Sequence, residues 1–131
     1  MRHPQVGGAR FGERLRRKLL RMRFDRHLPQ LAAEFGLDLS VPPRPMVTYN
    51  QTVVYEVTAS GQPAIIKFAR PGIAADGLRH HTRTVSWMHN HLDGPTRAMI
   101  PQTLHTADLG DCFVALETRL PGGPVRRVHP D

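Results

Sequence analysis

The apolar residues of this chain change their spacing along its length, and the spacing separates helices from strands. From about Arg10, the positions Phe11, Leu15, Leu19 and Met22 recur at helical intervals with arginines between them, which predicts a basic amphipathic helix. Residues 1 to 9 lack that pattern and read as a disordered start. Pro29 ends the helix or opens a second, short one over Pro29 to Phe35, because proline suits a first helical turn, and Gly36 supplies the stop. Ser40-Val41-Pro42-Pro43-Arg44-Pro45 is a rigid, extended connector and the strongest boundary in the chain. After it, Thr52 to Thr58 alternates as a half-buried strand does. Ala59-Ser60-Gly61-Gln62 turns the chain, and Pro63 to Ala69 is an apolar strand with one cation, Lys67, in its interior.

Arg70 to Asp76 reads as a loop, with Asp76 placed to cap a helix over about Gly77 to Leu92. Leu78, Val85, Met88 and Leu92 share its apolar face, with Trp87 beside them, while Arg79, His80, Arg83 and His89 take the other. That apolar face should pack on the sheet. Asp93-Gly94-Pro95 ends the helix. Ile100 to Ala107 and Cys112 to Glu117 then predict a hairpin around Asp108-Leu109-Gly110-Asp111, and Leu120 to Pro124 a flexible turn.

Composition narrows the class. A chain of 131 residues suits one domain or one lobe, and 12 prolines with 11 glycines imply many loops around a small, mostly aliphatic core. No segment approaches the roughly 18 consecutive apolar residues of a membrane span, and the N-terminus lacks the apolar stretch of a secretory signal, so the expected location is the cytoplasm. Cys112 stands alone, which excludes an intramolecular disulfide and favours a buried strand residue over a metal ligand or nucleophile. The formal charge of +7 is confined to the first 30 residues, where nine basic side chains face only Glu13 and Asp25. One N-terminal element therefore holds the excess. It would suit nucleic acid or an anionic membrane through residues 10–26, or simply dock by its apolar stripe on the domain. The eight histidines, including His80-His81 and His89-x-His91, have no spacing that aims two imidazoles along one helical face, and they read as surface residues.

An interior lysine on an apolar strand either keeps an edge strand soluble or serves an anion. The order in which it occurs favours the second. Thr48-Tyr49-Asn50-Gln51-Thr52-Val53-Val54-Tyr55-Glu56-Val57, then Ile65-Ile66-Lys67, a helix, Ile100-Pro101, and Leu116-Glu117-Thr118-Arg119-Leu120-Pro121-Gly122 together resemble the N-terminal lobe of the aminoglycoside phosphotransferase and choline kinase family, over about residues 45 to 125. The resemblance implies ATP as cofactor. Lys67 would hold its phosphates, Asn50, Gln51 and Thr52 would cover them through backbone donors, and the backbone of Glu117, Thr118 and Arg119 would read the adenine edge.

Two departures follow from the same resemblance. The helix after the lysine contains no glutamate to pair with it, and the expected place falls near His81. Lys67 is then unpaired, oriented by another acid such as Asp76, or not catalytic. The catalytic loop and magnesium-binding aspartate of the family's C-terminal lobe are also missing, since His129-Pro130-Asp131 imitates the first triplet by coincidence. The expectation is an α+β chain: a basic helical segment (1–40), then an antiparallel sheet with one packed helix forming the kinase-like, nucleotide-facing lobe (41–125), and a short tail (126–131). Such a lobe would be inactive alone, as a fragment or a remnant, with magnesium relevant only if a C-terminal lobe is supplied. It would expose an apolar face to that lobe or to an oligomer partner. An interaction protein that keeps the lobe only as a scaffold is the other outcome.

Overall fold

Helical periodicity at the N-terminus becomes α1 (Pro4–Asp25), followed after a two-residue turn by α2 (Leu28–Phe35) in a computed structural model that describes residues 4–49 and 51–120. Asn50, the Pro121 to Pro124 turn and the His129-Pro130-Asp131 triplet lie outside those residues. The expected disordered start is corrected from residue 4 onward: Pro4 has no N–H to leave unsatisfied in a first turn, and the helix runs through Gly7 and Gly8. α2 carries its proline in the first turn and ends at Gly36, whose left-handed backbone (φ 73°) lets its N–H reach the Ala32 carbonyl. A Cβ at Gly36 would also lie 3.2 Å from the Ser60 hydroxyl, because Ser60 N–H bonds the Gly36 carbonyl and ties α2 to the hairpin beyond it.

Five strands follow the connector: β1 (Arg44–Tyr49), β2 (Thr52–Ala59), β3 (Gln62–Ala69), β4 (Thr103–Asp108) and β5 (Phe113–Thr118). They form one sheet in the order β1-β2-β3-β5-β4, and every neighbouring pair is antiparallel. β2 and β3 are joined by a two-residue turn with positive φ at Ser60 and Gly61, the geometry that follows the natural twist of a hairpin. β1 and β4 are the edges, and each carries a register shift, at Pro45/Val47 and at Thr103/His105. A bulge and a proline are both devices that keep an edge from pairing further.

The period of two sorts the strands between two faces. Val53, Tyr55 and Val57, then Ala64, Ile66 and Phe68, then Val114 and Leu116 point to one face and pack with Phe24 of α1 and Leu28, Leu31 and Phe35 of α2. Phe24 and Phe68 stack there with ring centres 5.5 Å apart. Residues on both sides of the Ser40 to Pro45 connector thus share one core. The opposite face receives α3 (Ile73–His91), where Ala75 and Leu78 meet Ala69, Phe113 and Ala115. Helices therefore cover both faces, where the sequence anticipated a single packed helix.

Several boundaries move. α3 begins at Ile73, so Asp76 sits inside its first turn and makes no capping hydrogen bond; Gly72 precedes the helix instead. A short α4 (Gly94–Arg97) replaces the plain turn after it. Leu78 and Val85 are buried as expected, but Met88 and Leu92 are only half-buried, and Trp87 is exposed and stacks on His91 at 4.3 Å. Along α1 the stripe Phe11, Leu15, Leu19 and Met22 remains between 43% and 63% exposed. It does not dock on the sheet, because Leu20 and Phe24, on another side of the helix, make that contact. Among the described residues no helix is long and apolar enough to cross a membrane.

Candidate functional site

Lys67 of β3 and Glu117 of β5 lie on the sheet face toward α3, and the sheet register brings them together. Lys67 pairs with Ala115 across β3 and β5, and Ile65 pairs with Glu117. Lys67 and Glu117 are thus diagonal neighbours on one face, close enough for long side chains to meet. Lys67 Nζ lies 3.2 Å from Glu117 Oε2, with the side chains 15% and 7% exposed. Leu78 and Val85 place the inward face of α3 over this point, and His81, at the margin of that face, brings Nε2 to 3.3 Å from Glu117 Oε1. An ionised carboxylate only accepts, so Nε2 carries the proton and donates. Burial alone would push Glu117 upward, but the His81 hydrogen bond and the Lys67 charge outweigh it and hold the carboxyl below its ordinary value.

The expected absence of a helix glutamate thus has a structural answer. The lysine's carboxylate comes from β5, and His81, at the place where the resemblance would put the acid, contacts that carboxylate rather than the lysine. Asp76 is not the partner. It is exposed and lies 3.5 Å from Arg79.

Lys67 opens on a cavity of about 760 Å³ lined also by Gln51, Thr52, Arg70, Gly77 and His81. Its volume is within the range typical of small-molecule sites. Arg70 fixes the wall formed by the β1–β2 turn: its backbone N–H bonds the Gln51 carbonyl at 3.2 Å, and its guanidinium donates to Gln51 Oε1 at 2.8 Å. Gln51 itself has a left-handed backbone, φ 62°. Thr52 is buried in the ladder opposite Tyr49 and Ala69. Among the described residues no carboxylate lines this cavity, so nothing in its wall suits a magnesium ion.

The other expected residues lie elsewhere. Thr118 N–H donates to the Gln102 carbonyl and its hydroxyl accepts from Gln102 N–H, both at 2.9 Å. Arg119 Nε donates to Glu56 at 2.8 Å, and Arg44 bonds the other oxygen of that carboxylate. Of the residues expected at the site, then, Gln51, Thr52 and Lys67 share a cavity; Glu117 stands behind the lysine, and Thr118 and Arg119 lie outside the lining.

The structure also assembles a group that spacing could not reveal. His27, in the turn between α1 and α2, contacts Asp111 at 2.8 and 3.1 Å, and its ligand atom, a carboxylate oxygen of Asp111 and the Cys112 sulfur all lie within 4.8 Å of one another. Two sequence expectations change here: His27 is not a plain surface histidine, and Cys112, although buried as expected, precedes β5 and has a histidine nearby in space. The group is nonetheless a tether more than a metal site. Arg26 holds Asp111 Oδ2 at 2.7 Å, and burial, aided by the Asp111 charge, pushes the Cys112 thiol up to about 12. A metal would have to displace both a guanidinium and a tightly held proton. For Asp111, burial works upward, but the Arg26 and His27 hydrogen bonds prevail and hold it at about 2.

No family model matches this chain, and no curated protein matches it.

Proposed function

We propose that the chain is the nucleotide-facing lobe of an ATP-dependent phosphotransferase of the aminoglycoside phosphotransferase and choline kinase type, and that it does not transfer phosphate by itself. The observation that carries this reading is the Lys67–Glu117 pair at the wall of the 760 Å³ cavity. An ammonium has three donors; with one directed to Glu117, the others are left for phosphate oxygens. The antiparallel sheet, the lysine on β3 and the helix that follows it support the same reading. Bound ATP would supply the transferable phosphoryl group, and this chain's own residues bind and orient: Lys67 takes the phosphate charge, Glu117 fixes the lysine, and Gln51 closes the cavity above. Catalysis of this type uses a carboxylate base for the acceptor and carboxylates for magnesium, and among the described residues no carboxylate lines the cavity.

The test is calorimetric titration of ATP into the full chain and into Lys67→Ala. Measurable binding that weakens by about tenfold or more is expected from loss of a charged hydrogen bond. Equal affinity in the two proteins contradicts the phosphate role.

One observation favours a second reading for α1, namely the exposure of Phe11, Leu15, Leu19 and Met22. An apolar stripe flanked by arginines suits an anionic membrane better than nucleic acid, which needs the charges and not the stripe. On this reading Leu15→Ser with Leu19→Ser releases the protein from phosphatidylserine-containing vesicles in a flotation assay. Undiminished flotation would refute it.

A further inference from the structure

A second cavity, of about 490 Å³, lies between α1 and the β1–β2 turn. Three guanidiniums of α1, those of Arg16, Arg17 and Arg23, line it together with Arg70, over an apolar patch of Leu19 and Leu20. Glu13 is the one carboxylate in the lining, and at 3.5 Å from Arg16 it balances a single charge. Arg17 and Arg23 have no hydrogen-bond or ion-pair partner among the described residues. Four like charges converging on one concave space repel one another, and the arrangement is relieved by an anion that accepts from several of them at once. Guanidiniums in particular match phosphate oxygens two at a time.

We propose that this cavity binds a small phosphorylated molecule, its phosphate between Arg16 and Arg23 and its apolar portion on Leu19 and Leu20. The seven-residue separation of the two arginines puts them two turns apart on one side of α1, about 10 Å along the axis, a span that a diphosphate and the body attached to it can bridge. Tyr49, Gln51 and Arg70 line both this cavity and the one at Lys67, so the two are neighbours around the β1–β2 turn. The site does not depend on the nucleotide reading, because Arg16 and Arg23 do not line the Lys67 cavity. A nucleic acid is the less fitting occupant: a strand would use the arginines around the whole helix, whereas the cavity selects one side, leaving out Arg14 and Lys18, which are also exposed.

That difference supplies the experiment. Inorganic pyrophosphate is titrated calorimetrically at physiological salt into the Lys67→Met chain, which removes the phosphate ligand of the other cavity, and into that chain with Arg16→Ser and Arg23→Ser or with Arg14→Ser and Lys18→Ser, with circular dichroism to verify folding. The first pair weakens binding by about thirtyfold, and the control pair, with the same charge change, by less than about threefold. Equal losses in the two pairs would make the effect a diffuse field and overturn the site. So would no detectable binding to the Lys67→Met chain, or duplex DNA that binds with equal dependence on both pairs.

Discussion

The two faces of the sheet are built from alternate residues of the same strands and reach opposite ends of the polarity scale. Toward α1 and α2, β3 contributes Ala64, Ile66 and Phe68, all at most 1% exposed, and β5 contributes Val114 and Leu116. Toward α3 it contributes Ile65, Lys67 and Ala69, opposite Ala115 and Glu117 of β5. One face is filled with large apolar side chains. The other is padded with alanines, which hold α3 close enough for His81 to reach Glu117 while leaving room for a cavity. The comparison teaches that a closed face supplies the rigidity on which a buried charge pair can be held, since unsupported buried charges are costly.

The closed face should be the more sensitive of the two to truncation. Phe68→Ala should cost about 3–5 kcal/mol in chemical denaturation, because the ring stacks on Phe24 and its removal leaves a cavity. A cost near zero would mean that α1 does not close the core. On the polar face, Glu117→Leu alone should destabilise by about 1–3 kcal/mol, leaving Lys67 desolvated without a partner. Adding Lys67→Met should recover part of that loss, and strict additivity of the two changes would argue against the pair.

A pH series sharpens the contrast further. Glu117 is depressed in the folded state, so the unfolded chain binds its proton more readily, and the stabilisation it provides is present above the ordinary carboxylate value of 4.5 and lost as pH falls below it. The stability gap between the parent chain and Glu117→Gln, measured by thermal melts, should therefore narrow below that value, whereas Phe68→Ala should keep its gap throughout. The smallest effect concerns the closed face again. With its thiol at about 12, Cys112 should react with a disulfide reagent at pH 8 only as fast as the protein opens, and immediate reaction would contradict its burial.

How far these features can be read without coordinates depends on the range of the interaction. The α2 helix with its Pro29 and Gly36, the Ser60-Gly61 turn and the strands β2 and β3 follow from local spacing and turn chemistry, and all are legible in the sequence. Lys67 too is legible, as a cation isolated in an apolar strand. Its partner is not, because Glu117 lies 50 residues away and becomes a neighbour only through the pairing of β3 with β5. The one available signal is a second lone charge at the end of an apolar strand, Phe113 to Leu116 followed by Glu117. The orientation of α1 is likewise hidden: Phe11, Leu15, Leu19 and Met22 make the stronger apolar stripe, yet Leu20 and Phe24 meet the core.

The central claim is that Lys67, held by Glu117, meets phosphate. The most direct measurement compares ATP with adenosine, titrated into the full chain and into Lys67→Ala under one set of conditions. The account predicts that the substitution weakens ATP by about tenfold or more and leaves adenosine unchanged, so that the preference for the phosphate chain collapses. An equal loss for both ligands, or none for ATP, would contradict it.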